Sequence, residues 1–345
     1  YISPPSMSTS STSTRILRGF SRAGKLAELR LKRLYRRNRA LRFAAMVADS
    51  LLWTAIIGVW IWMFYWAGQI TSFCSFHVPT QSMTPTVLPG DYGIVNKWRL
   101  GARIFDIKKA VAGERVTIYR LPGYGRIEHG EIAVFNDPLA APDSIGLNLR
   151  RYYCKRIIGL PGDTLSIVDG HYKVAGYDGP LCPISAEDNM GYLVRAMEKG
   201  APKMVALKAW PYDSIVGWTV MDYGPLVIPA RGTRIPIDRT TALVYGRYIE
   251  WERGDGKRPR WSEADSCVMI DGQPLTEYIF KENYYFAAGD RVENSADSRY
   301  WGIVPEPMIV GVAWRLWDST DHSTGRRRHS RIGRHLGPLE ASARL

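Results

Sequence analysis

Twenty consecutive residues, Leu51 to Ile70, carry no charged side chain, and this run constrains the chain more than any other feature. At ~1.5 Å per residue a helix of that length spans roughly 30 Å, the thickness of a bilayer's hydrocarbon layer. The apolar stretch reaches back to Phe43 with Asp49 as its one charge. Trp53, Trp60, Trp62, Tyr65 and Trp66 offer interfacial anchoring, although several must sit deeper than the interface. A core helix of a soluble domain seldom runs so long without charge, and a cleaved leader would be shorter, with small residues before the cut. Cys74 follows Phe73, a poor neighbour for lipoprotein processing. The segment 43–73 is therefore expected to be a retained transmembrane anchor.

Charge gives the anchor a direction. Formal net charge is +13, which alone would raise nucleic acid as a partner. However, residues 1–42 hold eleven Lys/Arg against Glu28, and residues 317–345 hold six Arg against Asp318, Asp321 and Glu340, so the stretch between is neutral. A neutral body behind a basic front reads as a topology signal, not a nucleic-acid groove. It places the N-terminus in the cytoplasm and everything after Ile70 outside a cytoplasmic (inner) membrane. Residues 15–42, with leucines among the basic residues, are either a helix lying on an anionic membrane face or a solvated tail. The Ser/Thr-rich first dozen residues read as disordered.

Four cysteines lack CxxC spacing and six histidines lack an HExxH pairing, so no metal or other cofactor is expected. Past the anchor, short alternating runs broken by Gly, Pro and Asp predict a mainly β fold. Leu165 to Val174 and Cys267 to Leu275 each place Asp-Gly between β-prone runs, a hairpin signal.

Three blocks could carry chemistry. The first is Phe76-His-Val-Pro-Thr-Gln-Ser-Met-Thr-Pro-Thr86, followed by Val87-Leu-Pro-Gly-Asp91. About seventy residues on, Tyr152-Tyr-Cys-Lys-Arg-Ile-Ile-Gly-Leu-Pro-Gly-Asp163 puts a lysine in an otherwise apolar, strand-like run. The third is Gly289-Asp-Arg-Val-Glu-Asn-Ser-Ala-Asp-Ser-Arg299. Alone, the serine could sit in a mere loop and the lysine could be a snorkelling surface residue. A serine hydroxyl needs a base beside it to act as a nucleophile, and lysine can be that base only when burial keeps it neutral. His77 reads as a strand residue facing away, so a Ser–Lys pair fits these blocks better than a histidine triad.

In this order the blocks resemble those of the type I signal peptidases, the Ser/Lys proteases of peptidase family S26. Ser82–Thr86, Lys155–Asp163 and Asn294–Arg299 match the family's boxes. Residues 208–245 look like the insertion of Bacteroidetes-type enzymes. The resemblance implies Ser82 as nucleophile and Lys155 as general base. It implies an oxyanion site made of the Ser82 N–H and the Thr80 hydroxyl, and Ser295 orienting Lys155. Phe76, Val78, Met83, Val87 and Cys154 fall where the family lines its substrate pockets. Asp290 with Arg156, and Asp297 with Arg299, map onto structural ion pairs. Where the family has Gly-Asp-Asn-Arg, this chain has Gly289-Asp-Arg-Val292, which puts that loop's polar contacts in doubt.

The expected layout is a basic cytoplasmic tail (1–42), the anchor (43–73), a catalytic core in two parts (74–165 and 283–316), an inserted β-rich lobe (166–282) and a basic C-terminal tail (317–345). The expected partners are preprotein signal peptides, membrane lipid and possible export machinery, with no nucleic acid. The expected reaction is removal of signal peptides with small residues at the first and third positions before the cut. The rival readings are a catalytically inactive, membrane-anchored peptide binder and a self-cleaving repressor-type protease. Two alternatives stand for Cys182 and Cys267: a disulfide bracketing the inserted lobe, or two separate thiols.

Overall fold

The computed structural model describes residues 24–30, 32–33, 38–183 and 208–338. Its contacts divide the chain into two units, 1–67 and 68–345. In the first, residues 24–30 and 32–33 are helical, and α1 (Arg39–Thr71, 33 residues) begins after Asn38, whose side chain accepts from the Ala40 N–H at 3.1 Å. The rest of the expected N-terminal tail lies outside the described residues. No proline interrupts α1, and its apolar side chains stand exposed around it, including Leu51, Trp60 and Phe64. α1 is long and apolar enough to cross a membrane, by length and composition.

The second unit is mainly β. Its first stretch holds β1 (Phe73–His77), β2 (Asp91–Asn96), β3 (Arg103–Ile104), the short helix α2 (Ile107–Val111) and β4 (Tyr119–Arg120). A long hairpin follows, β5 (Ile132–Ala141) with β6 (Ser144–Gly159). Further on come β7 (Thr164–Val168), β8 (His171–Val174), β9 (Tyr223–Val227) and β10 (Arg234–Pro236). Helix α3 (Arg239–Arg253) leads to β11 (Arg260–Ser262), β12 (Cys267–Ile270), β13 (Gln273–Pro274) and β14 (Glu277–Ile279). The chain then returns through β15 (Tyr284–Ala288), α4 (Ser298–Trp301), β16 (Val304–Pro305) and β17 (Ile309–Ser319). Seven strands form an antiparallel sheet in the order β1-β2-β17-β5-β6-β15-β16, so β15 and β17 bring the third block back beside the first two.

Both Asp-Gly hairpins form. Asp169-Gly170 and Asp271-Gly272 have positive φ at both central residues, the twist that a two-residue hairpin needs.

Three expectations gain detail. The stretch 166–282, expected to be an inserted β-rich lobe, is β-rich in its described residues and adds a helix to them. It contains the 15-residue helix α3, opened by a capping box between Asp238 and Thr241 and closed by Gly254 at φ 71°. Tyr245 and Ile249 of α3 join the core of the main sheet, sharing one cluster with Phe135 and Ile157. The described part of the basic C-terminal tail, 317–338, is tied to the fold. β17 runs to Ser319, and the Leu316 N–H donates to Arg334 O at 3.0 Å while the Leu336 N–H donates to Trp314 O at 2.8 Å. Finally, of the two alternatives for Cys182 and Cys267 the structure has the separate thiols, with no disulfide joining them. In β12, Val268 and Ile270 alternate into the core, which turns Cys267 to the other face, its Sγ 3.5 Å from Met269 Sδ, whereas Cys182 packs inside the core.

Candidate active site

Ser82 lies in the turn-rich loop between β1 and β2. The loop is closed at its base by paired bonds, Val78 N–H to Asp91 O (3.0 Å) and Gly90 N–H to Val78 O (2.9 Å). Asp91, wholly buried, ties the loop down: its carboxylate accepts from the Leu88 N–H (2.8 Å), the Ser319 hydroxyl (2.6 Å) and the Arg331 guanidinium (2.6 Å). Burial alone would raise the Asp91 carboxyl, but these donors hold it below the ordinary carboxylate range.

Lys155 belongs to β6, between β5 and β15, in register with Ala133 and next to the pairing of Arg156 with Ala288. This inner position buries a lysine that sequence pattern alone would allow at the surface. Only 2% of it is exposed, and its Nζ lies 2.6 Å from Ser82 Oγ. Burial lowers the Lys155 pKa from its ordinary 10.5, with the nearby Asp297 carboxylate opposing the shift. Asp297 answers chiefly to Arg299, which grips it with Nε at 2.8 Å and Nη2 at 2.6 Å. Arg156 grips Asp290 in the same two-pronged way (2.7 and 2.6 Å) and also donates to Thr86 Oγ1 at 3.0 Å. Both expected ion pairs are thus formed, and both are buried.

Thr80 Oγ1 is 3.4 Å from Ser82 Oγ. The Ser82 carbonyl is held by the Arg291 N–H at 3.0 Å, which fixes the peptide plane that follows Ser82. Gly289 permits this approach, because a Cβ there would lie 2.6 Å from Ser82 O and 2.2 Å from Ser295 Oγ.

One assignment does not hold geometrically. Ser295 is buried near this junction, but its hydroxyl has no hydrogen-bond partner and so does not orient Lys155 here. The Ser82 hydroxyl, 2.6 Å away, is the hydrogen-bond partner that Lys155 Nζ has instead.

The residues expected to line the substrate pockets pack together as a buried apolar cluster. Val78, Met83 and Val87 form one apolar cluster with Ile132, against which Phe76 and Cys154 pack. Burial pushes the Cys154 thiol up to about 12, so it acts as an apolar wall and not as a second nucleophile. Leu336, 1% exposed, completes this cluster from the C-terminal segment.

Several contributors escaped the sequence reading. Arg331 sits in a run of arginines with nothing to mark it out. Arg291, part of the departure from the family pattern, bonds the Gln81 side chain beside the nucleophile and pairs with Glu293 at 2.7 Å. The other departure, Val292, fills the core. Both replacements are thereby accommodated.

A family model described as "Signal peptidase, peptidase S26" matches residues 49–208 and 227–317. The signal peptidase I of Buchnera aphidicola (subsp. Schizaphis graminum) is 26% identical over 246 residues, covering 71% of this chain and 67% of its own. That of Haemophilus influenzae is 26% identical over 252 residues, covering 72% and 64%. A solved signal peptidase I from Enterococcus faecalis aligns at 18% identity, covering 54% of this chain and 96% of its own, with a TM-score of 0.24.

Proposed function

The chain belongs to the peptidase S26 signal peptidase family of serine endopeptidases, and from that premise we propose that it removes signal peptides from exported preproteins with a Ser82–Lys155 dyad. The observation that carries the reading is the 2.6 Å approach of Lys155 Nζ to Ser82 Oγ at a lysine 2% exposed. Neutral Lys155 would take the Ser82 proton as Oγ attacks the scissile carbonyl. The Ser82 N–H and the Thr80 hydroxyl would then meet the developing oxyanion, Lys155 would return its proton to the leaving amine, and water activated by the same lysine would release the acyl group. The two buried ion pairs act as supports that keep β6 and the 289–299 segment in place around the dyad.

The substrate is an extended preprotein segment with small side chains at the first and third positions before the cut, set against the Val78–Met83–Val87 cluster. In this reading α1 anchors the enzyme in the cytoplasmic membrane, with its basic flank in the cytoplasm and the dyad outside. Signal peptides and lipid are then its partners, and export machinery a further one. The inactive peptide-binder reading draws on Arg291 and Val292, but both are accommodated and neither displaces the dyad.

The test is cleavage of a purified preprotein by the full chain in detergent, with product masses read. A cut after a small residue, lost in Ser82→Ala and in Lys155→Ala, is expected. Cleavage persisting in Lys155→Ala would remove the dyad, and no cleavage by the unaltered protein would favour the inactive binder.

A further inference from the structure

Away from the dyad, the second unit holds a cavity of about 660 Å³, within the size range of small-molecule sites. One wall is Trp210, Tyr212 and Ile215, which lie between the two stretches matched by the family model. The opposite walls come from Arg247 of α3, Trp261 of β11 and Leu139 of β5.

Arg247 is the unusual member. It is 2% exposed, its guanidinium carbon lies 3.3 Å from the Trp210 ring centre, and among the described residues no carboxylate pairs with it. Nη2 donates to Trp301 O and, at 3.0 Å, to Tyr248 Oη, which are neutral acceptors. Nε has no acceptor. Trp210 and Trp261 also line the cavity, and their indole N–H groups are likewise buried without acceptors.

The acids lining the cavity are engaged elsewhere. Asp143 pairs with Arg258, Glu263 with Arg239 at 2.9 Å, and Asp213 accepts from the Ile215 N–H at 2.8 Å. The unmet demand is therefore for acceptors and for negative charge, in a cavity whose walls combine aromatic and aliphatic side chains with charged ones, Arg260 among them. A buried guanidinium without a counter-charge is costly, and a planar carboxylate or phosphate is the group its fork fits best.

We propose that this cavity binds an organic anion, a carboxylate or phosphate carried on an apolar body, with Arg247 taking the anionic group and Trp210 and Trp261 flanking it. The site is independent of peptide-bond cleavage and can be read with the dyad silent.

The experiment is calorimetric titration of the full-length Ser82→Ala protein in detergent. N-acetyl-leucine serves as the carboxylate probe and phenyl phosphate as the phosphate probe. Neutral N-acetyl-leucinamide, acetate and inorganic phosphate are controls lacking either charge or body. Saturable binding of at least one anionic probe is expected, at least about tenfold tighter than the amide and than the bare ions, as a charge-assisted pair implies. Which probe wins separates the two anion sources. Arg247→Met should remove that preference, and Trp261→Phe, which keeps the ring and deletes the donor, should weaken binding by a smaller factor. Should Arg247→Met not fold, Trp261→Phe still decides. Absence of saturable binding by both anions, equal binding of acid and amide, or unchanged binding in these variants would overturn the proposal.

Discussion

Replacing Arg331 by alanine separates a structural C-terminal segment from a solvated basic tail. Arg331 is 12% exposed and its partner Asp91 is fully buried. The guanidinium forks the carboxylate through Nε (3.1 Å) and Nη2 (2.6 Å) and donates to Thr86 O at 2.9 Å, in the loop that carries Ser82. Removing one member of a buried pair costs ~3–5 kcal/mol. Here Asp91 keeps the Ser319 hydroxyl and the Leu88 N–H, and Arg331 is partly solvated, so the expected loss is nearer that of hydrogen bonds to a charged group, about 1.5–3 kcal/mol. For a domain of this size that corresponds to roughly 3–12 °C in Tm. Because Asp91 titrates below its usual 3.8 in the fold, the stabilisation is complete above that value and lost as pH falls through the lowered one. Melting of the full chain in detergent at neutral and acid pH, within a double-mutant cycle with Asp91→Asn, reads both effects. A wild-type Tm for Arg331→Ala at neutral pH, or a coupling near zero, would refute the clamp. Preprotein cleavage should fall in parallel, because the tethered segment also delivers Leu336 to the pocket cluster.

Ser82→Ala and Lys155→Ala should each abolish cleavage of a purified preprotein, and the double variant should be scarcely worse, since the pair acts as a unit. Thr80→Val should lower kcat ~10²–10³-fold with KM nearly unchanged while Thr80→Ser stays mild; equal rates for all three would make the hydroxyl a turn residue only. Lys155 must be neutral to act, so kcat/KM should rise with pH through a value below 10.5. The unfolded chain binds more protons than the fold between that lowered value and 10.5, so the lysine's burial destabilises the fold more as pH falls through this window, and Lys155→Met should raise Tm at neutral pH while remaining inactive. Proteolysis of sealed cells from outside should remove a C-terminal epitope and spare one before Arg15; the reverse pattern would overturn the proposed orientation.

What the sequence disclosed divides along a physical line. Ser82, Lys155, the two carboxylate–guanidinium pairs and the Asp-Gly turns were legible because each demands a particular residue type at a fixed local spacing, and the structure brings them together. Helix α3 carried a local signal too, Asp238-x-x-Thr241, but it lies between hairpins whose alternation dominated the reading. The C-terminal segment had no such signal. One arginine among six becomes a structural clamp only because the fold sets a buried carboxylate, Asp91, 240 residues away in sequence, within its reach. The same holds for Arg247. On the sequence it is one more basic residue in a stretch expected to be β-rich, and only the packing of α3 against Trp210 and Trp301 turns it into a buried cation whose partners are neutral. Catalytic chemistry is written in residue types and short spacings, whereas burial and charge compensation are properties of the assembled core, so the second kind of site becomes visible only once the fold is in hand.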